Sequence, residues 1–288
     1  MRKSDTPLVR SYQVGATPSF TEKPKDHCDR MKAFKEADAP LSLCPPERDV
    51  KWRFFWRVGE RPADTEFAEL NAEPVVPPAF PQWTSTMNTW GEKLRRAGQD
   101  VSTMAAEGFG LKADDFTSRM QNGAHLLAPT ASNFYKFDKK GTVLAGFHYD
   151  LNFITVHGKS RFPGLFIWTR EGQKLRVTVP DGCLLMQAGK QLEYLTGGHV
   201  LAGFHEVVVV DETLAAIEKA RAAEKSLWRI SSTCFTHIAS DQVLQPLGKF
   251  AEDAAAVEKY APIKTGDQVN EELASINLGA GSTPAPEV

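Results

Sequence analysis

The 288-residue chain has only four cysteines, Cys28, Cys44, Cys183 and Cys234, with no CxxC pair among them. Without a close framework, thiols in a chain of this length are expected to stay reduced. Charge of neither sign is in excess: 34 Lys and Arg stand against 36 Asp and Glu, a formal net charge of −2. A nucleic-acid binder would usually show a basic excess or stripe, so no nucleic-acid partner is expected. No run approaches the roughly 20 apolar residues a membrane helix needs, so no membrane partner is expected either. The start, MRKSDTPLVRSYQVG, lacks the apolar segment of a secretory signal. These absences leave a cytoplasmic protein as the expectation.

What is present is the ordinary composition of a globular chain, 42% hydrophobic and 24% charged. Its texture changes along the length. Residues 1–83 read as an irregular or helical extension, with an aromatic cluster in RDVKWRFFWRVGERP and a Pro-rich surface crossing in PVVPPAFPQW. Residues 84–124 read as helical support. Met87, Trp90, Leu94, Val101 and Met104 recur near helical spacing, and KADDFTSRMQNG follows as a short second helix. Residues 125–247 carry short β-rich runs separated by Gly-containing turns, the pattern of an antiparallel sandwich or barrel. Among those runs are TVLAGFHYDLNFITVHG and EYLTGGHVLAGFHEVVVV. Residues 248–288 read as further helices and a disordered tail.

Within the β-rich region, GFHYDLNFITVHG places His148 and Asp150 two positions apart on what reads as one strand. Residues i and i+2 of a strand share a face. A lone HxD is usually structural, but a non-haem Fe(II) site needs two imidazoles and one carboxylate on one side of the ion. His205, inside the next apolar strand, can supply the third ligand. His199 follows a Gly-Gly turn and is expected in solvent, and His157 is the weaker rival. In WRISSTCF, Arg229 and Ser231 again stand two apart. A guanidinium fork beside a hydroxyl suits a carboxylate, whether a bound one or an internal Asp or Glu.

HxD, a distant His and then RxS, in this order on β-rich segments, resembles the iron(II)/2-oxoglutarate-dependent oxygenases of the isopenicillin N synthase-like (clavaminate synthase-like) group. SNFYKF, PGLFIW, LLMQAGKQLEYLTGG and QVLQPLGKF add to the resemblance, which covers about residues 126–247. It implies a mainly β fold with flanking helices, a double-stranded β-helix or jelly roll. It implies iron bound by His148, Asp150 and His205. The distal carboxylate of 2-oxoglutarate would be held by Arg229 and Ser231, with Asn133 and Tyr135 nearby. Fe(II), 2-oxoglutarate and O2 would together oxidise a small molecule by hydroxylation, desaturation or ring closure, releasing succinate and CO2. An iron oxidase that does not use 2-oxoglutarate, and a non-catalytic jelly-roll binding module, are the alternatives. Tyr149, Phe153, Trp168 and Phe204 are candidates for an apolar substrate pocket and are equally explained as core.

Three departures from the family pattern set further expectations. DETLAAIEKARAAEKS, between His205 and Arg229, should be a surface helix docked outside the site. Glu206, where an Arg is common, should alter the surface beyond the ligand. The strands that normally extend the sheet at the N-terminal side should be missing.

Overall fold

The computed structural model describes residues 14–279; the segment expected to be a disordered tail lies largely outside them. Among the described residues, twelve strands alternate with six helices. The strands are β1 (Gly15–Thr17), β2 (Trp52–Arg57), β3 (Leu126–Asn133), β4 (Val143–His148), β5 (Ile154–His157), β6 (Leu165–Trp168), β7 (Lys174–Arg176), β8 (Leu185–Ala188), β9 (His205–Val208), β10 (Trp228–Thr236), β11 (Val243–Leu244) and β12 (Ile263–Lys264). The helices are α1 (Cys28–Lys32), α2 (Trp83–Gly108), α3 (Lys190–Leu195), α4 (Asp211–Ala222), α5 (Ala254–Lys259) and α6 (Thr265–Ser275). One antiparallel sheet has the order β1-β2-β3-β10-β5-β8, and a second has β4-β9-β6-β7. The result is the double-stranded β-helix expected of the sequence.

Alternation along β10 divides the larger sheet into two faces. Arg229, Ser231, Thr233 and Phe235 line a cavity on the inner side. Cys234, on the other side, is fully buried in the core cluster that also holds Leu94 and Ala106 of α2. That helix lies on the outer face through a stripe of Met87, Gly91, Leu94, Gly98, Ser102 and Ala106. Its glycines permit the close approach: a Cβ at Gly91 would stand 2.6 Å from Val58 Cγ2, and one at Gly98 2.9 Å from Thr236 Cγ2. The stripe is narrower than the sequence periodicity suggests, so Trp90 and Met104 face outward.

Several expectations need correction. The N-terminal strands are not missing, because β1 and β2 extend the larger sheet through β3. KADDFTSRMQNG forms successive turns rather than a helix, although Phe116 and Met120 within it are fully buried. The Asp115 carboxylate there accepts the Lys112 N–H at 2.9 Å. The run through EYLTGGHVLAGF is not strand: α3 occupies its start, and strand begins only at His205. Cys28 and Cys44 are bonded, with their Cα atoms 5.6 Å apart, an ordinary separation for a disulfide. Sequence spacing did not reveal this, because α1 and the following loop turn the chain back on itself.

The helix expected outside the site is α4. Thr213 accepts the Val210 N–H at 3.1 Å and donates to Pro163 O at 3.1 Å, anchoring the first turn. Ile217 and Ala220 pack with Phe134, Leu144, Phe162 and Val209, a cluster separate from the cavity. Asp211 does not cap the helix but pairs with Lys140.

Candidate functional site

His148 is the last residue of β4 and His205 the first of β9, and the two are direct cross-strand partners. Their ring centroids are 4.1 Å apart. Asp150 is not on the strand, which corrects the HxD-on-one-strand reading. After His148 the chain leaves the smaller sheet and enters the larger one at Ile154, and Asp150 lies in that crossing. The crossing is pinned by its own backbone: Lys190 N–H donates to Asp150 O at 2.8 Å, and Gln191 N–H to Asn152 O at 3.0 Å. Gly189 is required there, since any Cβ would fall 2.0 Å from Asn152 O.

The three side chains converge. Asp150 Oδ1 is 3.8 Å from His148 Nε2 and 3.9 Å from His205 Nε2. Thr155 Oγ1 donates to the other carboxylate oxygen at 2.7 Å and fixes its rotation. Gly146 O takes the Nδ1 proton of His148 at 2.6 Å, which leaves Nε2 as a free lone pair. Around His205 Nδ1 lie the Gln187 carboxamide at 2.6 Å and Gly203 O at 3.3 Å. Burial, then the neighbouring His205, holds His148 well below the usual imidazole pKa, so it is neutral and ligand-ready. Among the described residues these three form the group of His, Cys, Asp or Glu side chains able to close on a metal ion, with ligand atoms within 4.8 Å of one another. Two imidazoles and one carboxylate on one side suit Fe(II) with open positions.

The same cavity, of about 140 Å³, is lined by Arg229 and Ser231. Ser231 faces Thr130 across the β3–β10 pair. Arg229 is 7% exposed. Among the described residues it has no carboxylate partner, its Nε lacks any hydrogen bond, and burial lowers its pKa to about 10. The internal Asp or Glu considered from sequence is therefore not there. A buried cation without its counter-ion is costly unless a ligand supplies one, so the site fits an anionic co-substrate.

Other candidates lie elsewhere. Asn133 and Tyr135 are not on the cavity wall: the Asn133 side chain accepts the Tyr135 N–H at 2.9 Å, and the Tyr135 ring is exposed. Of the pocket candidates, only Tyr149 lines the cavity. Phe153 is fully buried against Phe116. Trp168 and Phe204 belong to a separate aromatic cluster with Phe147, packed against Met31 and Phe34. His199 is exposed and lies against Phe109 and Phe250.

The departure at Glu206 acts inward rather than on the surface. Its fully buried carboxylate accepts the Leu41 and Ser42 N–H groups at 3.1 and 3.2 Å, the Ser42 hydroxyl at 3.0 Å and Lys174 Nζ at 2.9 Å. It thereby ties the segment after α1 over the aromatic cluster. Sequence reading also missed Lys51, Arg53 and Phe55, whose alternation on and beside β2 aims them into the cavity. Lys51 sits between Asp49, at 2.6 Å, and Glu22, at 3.1 Å, and Arg53 pairs with Glu22. The group is thus electrically balanced. From α6 and the residues after it, Leu273, Ile276 and Leu278 close the cavity with apolar surface.

Two interior histidines make the fold acid-sensitive. Burial lowers His157 from 6.5 to about 4 and His237 from 6.5 to about 3. Unfolded, both take protons from about pH 6.5 downward, whereas folded they do not. The stability of the neutral rings is complete above pH 6.5 and is lost as pH falls toward 4, by about 1.4 kcal/mol per pH unit for each ring. The melting temperature of the metal-free protein is therefore expected to drop steadily between pH 6.5 and 4.5. A constant value would show that these rings protonate in the native state.

Residues 128–238 match the model of the 2OG-Fe(II) oxygenase superfamily. A search of curated protein sequences finds no match. Solved structures share the fold at low identity. A 2OG-Fe(II) oxygenase family protein from Caulobacter crescentus aligns with TM-score 0.71 and 23% identity, over 94% of this chain and 78% of its own. A full-length Neurospora crassa protein, solved in complex with alpha-KG and thymine, aligns with TM-score 0.68 and 19% identity, over 96% and 79%. A rice dioxygenase for auxin oxidation aligns with TM-score 0.59 and 20% identity, over 87% and 77%. Among the described residues no helix is long and apolar enough to cross a membrane.

Proposed function

We propose that the protein oxidises a small organic molecule in this cavity, with His148, Asp150 and His205 as iron ligands and Arg229 and Ser231 holding the distal carboxylate of 2-oxoglutarate. The observation that carries this reading is the buried Arg229 guanidinium, unpaired among the described residues and opening on the same cavity as the three converging ligands. Bound there, iron supplies the redox chemistry by which O2 oxidises substrate while 2-oxoglutarate is converted to succinate and CO2. The chain's own contribution is placement. Arg229 and Ser231 fix one end of the co-substrate. Thr155 and Gly146 O orient two of the ligands. The apolar wall of Leu273, Ile276 and Leu278 excludes water from the reacting centre.

Asp150 occupies a ligand position and leaves no room there for a halide, which favours hydroxylation, desaturation or ring closure. The cavity has room for on the order of ten waters, which suits a small substrate such as the thymine in the Neurospora complex. The Cys28–Cys44 bridge is of a kind that oxidising compartments preserve, so a cytoplasmic location does not follow from the thiol count. The deciding experiment loads the purified protein anaerobically with Fe(II), titrates 2-oxoglutarate by visible absorption, then admits O2 with a panel of small molecules and measures succinate. Substrate-dependent succinate is expected. Iron binding without any 2-oxoglutarate binding would move the protein to the oxidase alternative.

A further inference from the structure

We propose that His157 is a positioning residue for the co-substrate, donating a hydrogen bond from Nε2 to a carboxylate oxygen of the 2-oxo acid between the three converging ligands and Arg229. The proposal rests on the reading of the cavity as a 2-oxoglutarate site.

Its basis is a buried ring nitrogen without a hydrogen bond of good geometry. His157 ends β5 and pairs with Thr233 of β10 on one side and Leu185 of β8 on the other. It lies on the cavity face, like Arg229, Ser231 and Thr233. Its Nδ1 lies 3.4 Å from the Thr233 hydroxyl, which can donate to it. With the hydroxyl donating, the ring proton is on Nε2, and Nε2 is shut off from solvent with no partner among the described residues. The Gln187 side chain is the ring's neighbouring hydrogen-bonding group, but the two do not meet in good bonding geometry, and Gln187 Oε1 is likewise left without a bond. Buried polar atoms without partners are uncommon in folded proteins because they forfeit their bonds to water. An aliphatic side chain would fill this place without that penalty.

Its location narrows the acceptor. The ring centroid is 6.3 Å from that of His205, and Asp150, His205 and Arg229 are the charged or ionisable groups acting on it. His157 is therefore near both the three converging ligands and Arg229. It is outside the cluster of mutually close ligand atoms, so it is a neighbour of the proposed metal centre rather than a fourth ligand. Burial keeps the ring neutral, so it contributes a directed donor and leaves the charge pairing to Arg229.

The test compares His157→Met with His157→Gln in the full chain. The two are alike in length, and only glutamine can donate. Dissociation constants for Fe(II) and for 2-oxoglutarate on the Fe(II)-loaded protein are measured anaerobically, together with melting temperatures. The methionine variant is expected to bind 2-oxoglutarate about ten- to a hundredfold more weakly, with Fe(II) affinity unchanged and glutamine recovering most of the loss. Unaltered 2-oxoglutarate affinity in His157→Met, while the wild type binds it, overturns this role alone. Equal weakening in both variants with loss of Fe(II) binding shows a merely structural residue and also overturns it. If the wild type binds Fe(II) but no 2-oxoglutarate, the reading of the cavity falls with it.

Discussion

Asp150→Ala is expected to abolish Fe(II) binding and turnover together while the protein remains folded. The carboxylate supplies the negative charge of the proposed ligand set. Without it two imidazoles, 4.1 Å apart between centroids, face the ion alone. Removing an outer partner of a metal ligand typically costs about 10–100-fold in affinity, and removing a ligand itself should cost more. Thr155→Val, which takes away the 2.7 Å bond that orients Asp150, provides the smaller step for comparison. His148→Ala and His205→Ala should behave like Asp150→Ala. His199→Ala should bind iron normally, because that ring lies exposed against Phe109 and Phe250. Isothermal titration with Fe(II) under argon reads all five, and circular dichroism checks the fold. Full iron binding by His205→Ala, with loss in His199→Ala, would sink the proposed third ligand.

Arg229→Ala is expected to raise the 2-oxoglutarate dissociation constant tenfold to several thousandfold and to leave Fe(II) affinity intact. Truncating one partner of a buried charge-assisted pair costs about 2–5 kcal/mol, and each 1.4 kcal/mol is a factor of about ten. Arg229→Lys keeps the charge but loses the two-pronged geometry, so it should fall between the alanine variant and the wild type. A second readout separates ligand binding from folding. In the ligand-free protein the buried guanidinium has no counter-ion among the described residues, so its removal should not lower the melting temperature. Adding 2-oxoglutarate with the metal should raise the melting temperature of the wild type through preferential binding to the native state, and should barely move that of the variant. A variant that binds 2-oxoglutarate normally would end the anchoring role.

Strand β10 was legible from local pattern because its alternation is unbroken: Arg229 and Ser231 share a face in the sequence and line one cavity in the structure. α4 was legible because its apolar spacing and polar remainder require a docked surface helix, and Ile217 and Ala220 are its buried contacts. The HxD pair was legible as a pair and misread as geometry. The sequence looks like one strand from Val143 to His157, whereas the chain changes sheets between His148 and Ile154. Nothing local announces that change, because the contacts that fix it come from Gly189 to Gln191. Only the family resemblance points to Asn133 and Tyr135, and they lie off the cavity because the chain turns at the end of β3.

The sequence by itself determined the β-rich core, its helical flanks and the kinds of side chain that could hold a metal and an anion. These follow from periodicity and from the chemistry of each residue, which are local properties. The tertiary structure alone decided which of those residues meet. His148 faces His205 because two strands distant in sequence are cross-strand neighbours. His157 turns toward the cavity because β5 pairs with β10. Trp168 and Phe204 are withdrawn into a second core, and Glu206 ties the segment that covers it. Lys51 and Arg53 reach the cavity because β2 extends the larger sheet, a pairing that no local pattern near β2 announces. Pairing and burial between distant segments are set by the free energy of the whole chain, so no single stretch of residues encodes them.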